Sequence, residues 1–303
     1  MNEKIRRPAA RQKSPSGRSP QKTASGIEAR LGELKTILKD MGRVVVAYSG
    51  GVDSSLLLRV AADVLGKGVY AVIAASPTYP DREIRAARAL ARRLKVRHEV
   101  IATKEMDNPA FTANPPLRCY HCKRELMTEI RTIADREGIA VIVDGQNADD
   151  VGDYRPGARA AAELGVRSPL QEAGLTKADI RTLSKRLGLP TWNKPAMACL
   201  ASRFPYDTPI TAEALLRVEK AEAVLSKLGF GHLRVRHHDT IARIEVPADE
   251  IVKIARPAMR GRIVAALRKI GYAYVTLDLS GYRTGSMNET LDAAVRTAHS
   301  GRR

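Results

Sequence analysis

Two adjacent glycines, Gly50 and Gly51, follow an apolar run and precede a helical pattern, an arrangement typical of a loop that binds phosphate. Because neither residue has a Cβ atom, successive backbone N–H groups can converge on an anion at the positive end of the following helix. The rest of the turn supplies hydroxyl donors and a carboxylate suited to fix the loop or to bind Mg²⁺: Ser49, Val52, Asp53 and Ser54. A Gly-Gly pair after a strand is also common in tight turns, so the pair alone leaves both interpretations open.

The three cysteines of the chain are a second candidate for chemistry. Cys119 and Cys122 are separated by two residues, and Cys199 follows much later. Three thiolates can hold three corners of a 4Fe-4S cluster and leave one iron open, whereas a structural zinc ion needs a fourth protein ligand. His121 lies between the paired cysteines, where binding the same metal requires strain. Two other interpretations stay open: inert buried thiols, and a nucleophilic thiolate favoured by neighbouring basic residues.

Polar residues follow two of the predicted strands, at the end where a parallel sheet binds its ligands. Ser76 ends the second predicted strand, and the segment Asp144-Gly-Gln-Asn-Ala-Asp-Asp150 follows the fourth. Oxygen atoms such as those of Asn147 and Asp150 suit Mg²⁺ or a ribose at the sheet edge. Asp, Asn and Gly are also ordinary turn formers, and that interpretation stands beside the first.

The elements that must position these residues alternate between strand and helix. Apolar, β-branched runs predict four strands: Val44–Tyr48, Val69–Ser76, Val96–Ala102 and Ala140–Asp144. Helical spacing predicts helices at Ile27–Lys39, Asp53–Val64, Asp81–Leu94 and Thr176–Leu187. This order predicts an α/β fold with a doubly wound parallel sheet.

Beyond the irregular segment Thr191–Pro205, the pattern changes to that of a smaller C-terminal α+β domain. It predicts a helix, two paired strands, a helix and a strand: Ala212–Leu228, Leu233–His238, Ile241–Val246, Pro247–Ile270 and Tyr272–Leu279. Arg234 and Arg236 alternate with apolar residues, which puts both guanidinium groups on one face of a strand. This face is either a site for phosphate or carboxylate or a solvated basic surface.

Four ranges describe the predicted organisation: a disordered basic tail at 1–26, a nucleotide-binding domain at 27–204, the C-terminal domain at 205–290 and a basic tail at 291–303. The formal net charge of +18 favours an anionic partner. We do not expect nucleic acid, because the aromatic content of 4% is low for a protein that stacks bases and part of the charge lies in the first tail. Because the chain has no secretory apolar segment and no apolar run of about 20 residues, it is predicted to be cytoplasmic and not bound to a membrane.

The string Ser49-Gly-Gly-Val-Asp-Ser54 resembles the PP-loop of ATP pyrophosphatases, enzymes that cleave ATP between its α- and β-phosphates. Further segments extend the resemblance: Asp144–Asp150, Arg167-Ser-Pro-Leu170, Ala198-Cys-Leu-Ala-Ser-Arg203, Leu233-Arg-Val-Arg-His-His238 and Leu277-Asp-Leu-Ser-Gly-Tyr-Arg283. With the Cys119 and Cys122 pair, they make residues 27–290 similar to the LarE family, the ATP-dependent sulfur transferases of nickel-pincer nucleotide biosynthesis.

The resemblance implies a two-stage reaction that uses ATP and Mg²⁺. Enzymes of this family adenylate a carboxylate of pyridinium-3,5-biscarboxylic acid mononucleotide with release of pyrophosphate, and then exchange AMP for sulfur to give a thiocarboxylate. In single-cysteine members the residue that matches Cys199 donates its own sulfur. Because this chain also has Cys119 and Cys122, it resembles the members in which three cysteines hold a 4Fe-4S cluster whose open iron carries the sulfide. The source of that sulfide stays open.

The resemblance also assigns roles to charged residues. Four of them match positions expected to hold the substrate's phosphate and carboxylate or the pyrophosphate: Arg203, Glu222, Arg234 and Arg236. The predicted catalytic residues are Cys199, Asp53, Arg203 and Glu222. A homo-oligomer, a hexamer in this family, is also implied. Two other functions remain as alternatives, a PP-loop tRNA thiolase and a non-catalytic nucleotide sensor whose cysteines hold a redox-responsive metal.

Overall fold

The computed structural model describes residues 20–151, 156–195, 198–283 and 286–291. The strands are β1 Val44–Ala47, β2 Val69–Ala75, β3 Arg97–Ala102, β4 Val141–Val143, β5 Arg234–His238, β6 Ile241–Glu245 and β7 Tyr274–Leu277. The α-helices are α1 Pro20–Met41, α2 Val52–Leu65, α3 Asp81–Arg93, α4 Pro109–Thr112, α5 Arg118–Arg136, α6 Pro156–Glu163, α7 Pro169–Glu172, α8 Lys177–Arg186, α9 Ala212–Lys227, α10 Ile251–Ala255 and α11 Pro257–Ile270.

The first four strands form a parallel sheet in the order β3-β2-β1-β4. Side chains of β1 alternate between two apolar clusters, one on each face of this sheet. Val44 and Val46 pack with residues of α1 and α2, and Val45 packs with residues of α5. Helices on both faces of a parallel sheet confirm the predicted doubly wound α/β class.

Helix α5 is absent from the sequence prediction. Its buried stripe is formed by Met127, Ile130 and Ala134, at the spacing of one helix face. The sequence does not show where the helix starts, because charged and polar residues fill its first turns and no apolar spacing is visible there. Cys119 and Cys122 lie in those turns, so the packing of α5 decides where both thiols are.

The prediction of one helix over Pro247–Ile270 is wrong. A 3₁₀ turn, α10 and α11 occupy this range instead. Pro257 has no N–H to continue the earlier helix, and the residue before it, Arg256, takes an extended conformation with φ −57° and ψ 137°. The break turns the chain, so that α11 packs on the C-terminal sheet through Ile263 and Leu267.

The C-terminal strands form a second, mixed sheet in the order β5-β6-β7. An apolar cluster joins the end of the first predicted domain to α9: Phe111, Leu200, Phe204, Leu215 and Val218 are among its buried residues. The predicted domain ranges 27–204 and 205–290 therefore share a packed interface, and their boundary stays a prediction.

Helix α1 begins at Pro20, before the predicted start at Ile27. Residues 1–19 of the predicted N-terminal tail, and residues 292–303 of the C-terminal tail, lie outside the described ranges. In the part of the chain that the structure describes, no helix is long and apolar enough to span a bilayer.

Candidate active site

The predicted phosphate loop connects the carboxyl end of β1 to the start of α2. Gly50 has a φ of +70°, and a Cβ atom on it would lie 2.9 Å from the Cβ atom of Ala87 on α3. The Ser49 and Ser54 hydroxyl oxygens are 3.0 Å apart, and the Gly51 N–H donates to the Ser49 hydroxyl at 3.4 Å. The loop is thus compact and free of side-chain bulk, as the approach of a phosphate requires.

We expect Gly50→Ala to weaken ATP binding by about tenfold or more, because the added methyl group collides with Ala87 and shifts the loop. The positive φ should also cost about 1 kcal/mol of folding free energy. Calorimetric titration with ATP and urea unfolding measure the two effects. Gly42→Ala is the matched control, because Gly42 has a φ of +66° but nothing within 4 Å of its added Cβ atom. Equal ATP affinity in the two variants would contradict the role of the loop.

Two lysines that the sequence analysis did not single out lie against this loop. The Lys194 ammonium donates to the Gly50 carbonyl at 2.8 Å and pairs with Glu83 on α3. The Lys177 ammonium, at the start of α8, pairs with Asp53. In contrast to these side chains at the loop, that of Val52 is buried in the core. Lysines in polar helices and loops are usually solvated, so no local pattern distinguishes these two.

The segment after β4 reaches the phosphate loop, as predicted. A Cβ atom on Gly145 would lie 2.9 Å from the backbone nitrogen of Ser54, so this close approach requires glycine. Nδ2 of Asn147 donates to Oδ1 of Asp53 at 3.5 Å. The Asp150 carboxylate accepts the Asn147 backbone N–H at 3.0 Å in a reciprocal cap. Asp53, Asn147 and Asp150 thus come together at one edge of the sheet.

These oxygens fit the Mg²⁺ ion that accompanies ATP. Among the described residues, no three His, Cys, Asp or Glu side chains are arranged as a metal site. A Mg²⁺ ion held by phosphate oxygens and waters needs only one or two protein carboxylates, however. Asp53 and Asp150 can supply them, and Lys177 forms an ion pair with Asp53.

Ser76 lies at the end of β2, and its hydroxyl donates to the carboxylate of Glu105. The Thr78 hydroxyl donates to the same carboxylate oxygen at 3.0 Å. Glu105 is 1% exposed, and its buried Oε2 atom has no hydrogen-bond partner among the described residues. The Thr78 carbonyl accepts the N–H of Leu200 at 2.8 Å, which ties the end of β2 to the residue after Cys199. Glu105 was missed by the sequence analysis, since an isolated glutamate in a loop gives no signal.

The three cysteines, all free thiols, share one neighbourhood. Burial raises the pKa of the Cys122 thiol, and the charges of Cys199, Glu105 and Cys119 raise it further. Burial also raises the pKa of Cys119, as does the charge of Cys199, while the Arg118 guanidinium opposes the shift. Cys122 and Cys199 both pack against the apolar cluster at Phe111 and Leu200. Residues from α5 and from a distant segment of the chain therefore lie in one region.

The three thiols match the type of ligand that a 4Fe-4S cluster uses. Among the described side chains, however, no three His, Cys, Asp or Glu residues are arranged to hold a metal. A cluster spreads its cysteine ligands over the corners of a cube and can use three. The pKa values of the Cys119 and Cys122 thiols are raised, and metal coordination would deprotonate both thiols outright.

The predicted catalytic pair Arg203 and Glu222 forms a buried ion pair. Nε and Nη2 of Arg203 donate to the two Glu222 carboxylate oxygens at 2.8 and 2.9 Å, and the side chains are 2% and 7% exposed. Nη1 of Arg203 donates to the carbonyls of Ala198 and Cys199 at 2.7 and 3.0 Å. Glu222 also accepts the Val235 N–H at 3.1 Å. The pair thus fixes the backbone of Cys199 to α9 and β5, a contact that the sequence interpretation did not include.

The arginine face of β5 is only partly exposed. Arg236 is 8% exposed, donates to both Glu245 oxygens at 2.9 and 2.8 Å, and contacts the Ser202 carbonyl at 2.6 Å. The Arg234 guanidinium lies 5.1 Å from the centre of the Tyr282 ring. Burial lowers the pKa of Arg234, and the charge of Arg203 lowers it further. Arg203, Arg234 and Arg236 thus lie in one region, where Glu222 and Glu245 offset the charge of Arg203 and Arg236.

The chain is similar in sequence to several known proteins. Residues 28–129 match the family described as NAD synthase. The chain is 42% identical over 269 residues to the pyridinium-3,5-bisthiocarboxylic acid mononucleotide synthase of Lactiplantibacillus plantarum, an alignment that covers 88% of this chain and 97% of that protein. It is 44% identical over 265 residues to an uncharacterized protein of Synechocystis sp., covering 88% of this chain and 99% of that protein. A third relative, an uncharacterized protein of Methanocaldococcus jannaschii, is 28% identical over 258 residues, with 84% and 98% covered.

Proposed function

The chain belongs to the LarE family of ATP-dependent PP-loop enzymes, and on this premise we propose that it is a sulfur transferase acting on pyridinium-3,5-biscarboxylic acid mononucleotide. The product would be a thiocarboxylate, in keeping with the name of the L. plantarum relative. The observation that carries this proposal is that the Cys199 segment is bound to the turn after β2, the strand next to the one that leads into the phosphate loop. Through the hydrogen bond from the Leu200 N–H to the Thr78 carbonyl, the Cys199 segment is held at the sheet edge where the loop lies.

The reaction needs ATP because a carboxylate resists nucleophiles. Its carbon is electron-rich, and its leaving group would be oxide. Attack of a substrate carboxylate oxygen on the α-phosphate forms an acyl adenylate and releases pyrophosphate, which supplies both an electrophilic carbon and a good leaving group. We assign the phosphate contacts to Ser49, Gly50, Gly51 and Ser54, with Mg²⁺ held by Asp53 and Asp150. Backbone donors at a helix start and a cation stabilise the charge that moves to pyrophosphate.

The substrate also carries a phosphate and a second carboxylate, which need cationic partners. We assign this role to the region of Arg234, whose guanidinium is half-buried beside two further arginines. Arg203 and Arg236 already have carboxylate partners, Glu222 and Glu245. In our proposal these two arginines contribute charge to the site and hold the Cys199 segment.

We further propose that Cys119, Cys122 and Cys199 hold a 4Fe-4S cluster. When bound, such a cluster supplies an open iron at which sulfide is carried for transfer. The shared neighbourhood of the three thiols supports this assignment, since a structural zinc site uses four protein ligands. The cluster route and the sacrifice of the Cys199 sulfur predict different metal contents.

The substrate is tested by pyrophosphate release. We expect ATP and pyridinium-3,5-biscarboxylic acid mononucleotide together to release pyrophosphate, and ATP alone to release almost none. Unmodified tRNA and nicotinate mononucleotide are the comparison substrates, because one represents the tRNA thiolases and the other lacks the second carboxylate. Pyrophosphate release with tRNA only, or ATP binding without release under any condition, would contradict the proposal.

The cluster is tested by anaerobic purification or reconstitution followed by iron and sulfide analysis. We expect about four iron atoms per chain in the wild type and a loss of iron in Cys119→Ser and Cys122→Ser. A metal-free protein that completes one turnover and loses the mass of H₂S from Cys199 would establish the sacrificial route instead.

Family membership also bears on the oligomeric state and the location of the protein. We propose a homo-oligomer, a hexamer by resemblance, and a cytoplasmic location, where free thiols such as these three persist.

A further inference from the structure

Tyr79 lies at the junction between the nucleotide side and the sulfur side of the site. It follows β2 in a turn in which its backbone N–H donates to the Ser76 carbonyl at 3.0 Å. Its ring lines a cavity together with Ser49 of the phosphate loop and Ala87 of α3. The residue before it, Thr78, holds the Leu200 N–H beside Cys199. Tyr79 therefore lines the cavity at the loop and follows directly the residue that holds the Cys199 segment.

The Tyr79 hydroxyl differs from that of Tyr48 in its hydrogen bonding. Across the described residues it has no hydrogen-bond partner, whereas the hydroxyl of Tyr48 in the same cavity lies 3.3 Å from that of Ser55. The hydroxyl also lies within electrostatic range of Cys119, Cys122 and Cys199. A tyrosine O–H that is otherwise without a partner, between a nucleotide cavity and the thiols, is suited to donate to a bound ligand.

We propose that the Tyr79 hydroxyl donates a hydrogen bond to the carbonyl oxygen of the acyl adenylate while sulfur replaces AMP. This inference rests on the proposed function. In the step, a hydrosulfide forms a C–S bond, the C–O bond to AMP breaks, and its electron pair leaves on the phosphate. The proton of the resulting thioacid passes to solvent. After the C–S bond forms and before the C–O bond breaks, negative charge develops on the carbonyl oxygen. A fixed hydrogen-bond donor stabilises this charge more strongly than it stabilises the neutral carbonyl.

The surroundings of Tyr79 keep its hydroxyl a donor. Burial raises the pKa of Tyr79 well above its usual value, and the charges of Cys122, Cys199 and Glu105 raise it further. Among the described residues, no acceptor competes with the substrate for the hydroxyl proton.

Tyr79→Phe tests this role, because it removes the hydroxyl and keeps the ring. Rapid-quench single turnovers with ATP, the mononucleotide and sulfide measure pyrophosphate release and thiocarboxylate formation separately. We expect pyrophosphate release at the wild-type rate and thiocarboxylate formation about 100-fold slower, the usual effect of losing one donor to an oxyanion. The control is Tyr70→Phe on β2, whose hydroxyl donates to Glu99 at 3.1 Å, away from the site. It should leave both rates unchanged.

The outcomes separate the inference from the proposed function. Thiocarboxylate formation at the wild-type rate in Tyr79→Phe would overturn the role of the hydroxyl alone. An equal fall in both stages, with weaker ATP binding by calorimetry, would also overturn it and assign Tyr79 to the nucleotide. A wild-type protein that releases no pyrophosphate with the mononucleotide would overturn the proposed function and this inference with it.

Discussion

Replacement of Cys199 by serine is expected to abolish thiocarboxylate formation while ATP-dependent pyrophosphate release continues. The two stages use different residues, since the phosphate loop lies between β1 and α2 and Cys199 precedes the 3₁₀ turn Leu200–Arg203. Serine preserves the size of the side chain and the backbone contacts of residue 199, but it cannot hold an iron–sulfur cluster or donate sulfur. Mass spectrometry of the product and a pyrophosphate assay on the same sample measure both stages.

Cys119→Ser is the matched comparison for this variant. If the three thiols hold a cluster, both variants lose product formation and iron together. If Cys199 donates its own sulfur, Cys119→Ser completes one turnover and Cys199→Ser none. Thiocarboxylate formation by Cys199→Ser at the wild-type rate would show that sulfur is delivered elsewhere, and the assignment of the site would then be wrong.

Glu222→Leu is expected to destabilise the protein by about 3–5 kcal/mol, because it leaves the Arg203 charge buried without a partner. Arg203→Met combined with Glu222→Leu removes both charges and should recover much of this loss. We expect the double variant to remain slow in sulfur transfer, because the Ala198 and Cys199 carbonyls lose the guanidinium that holds them. Urea unfolding and single-turnover assays measure the two effects.

Arg59 and Asp63 provide the control for this experiment. They form an ion pair of similar length, 2.8 Å, on the exposed side of α2, with side chains 31% and 46% exposed. Solvent screens such a pair, so Asp63→Asn should change stability by less than about 1 kcal/mol and leave activity unaltered. Wild-type sulfur transfer in the stable double variant would restrict Arg203 and Glu222 to a structural role.

The location of the phosphate loop was predictable because its determinants are local. A β-branched run followed by two glycines and a helical pattern specifies a strand, a turn and a helix within about twenty residues of sequence. The helix break at Pro257 also has a local cause, although the sequence prediction places one helix across it. The apolar spacing on both sides of Pro257 favours a continuous helix. The missing N–H and the steric effect of proline nevertheless end the first helix before this residue.

The sequence by itself determined the parallel α/β core and the loop at its edge, since strand burial and turn chemistry depend on neighbouring residues. Only the tertiary structure decided which charges are paired and which thiols meet. Lys177 pairs with Asp53, Arg203 with Glu222, and α5 carries two cysteines to a third. A charged or thiol side chain has many possible partners of equal chemistry, and the choice among them is made by long-range packing that no local pattern encodes.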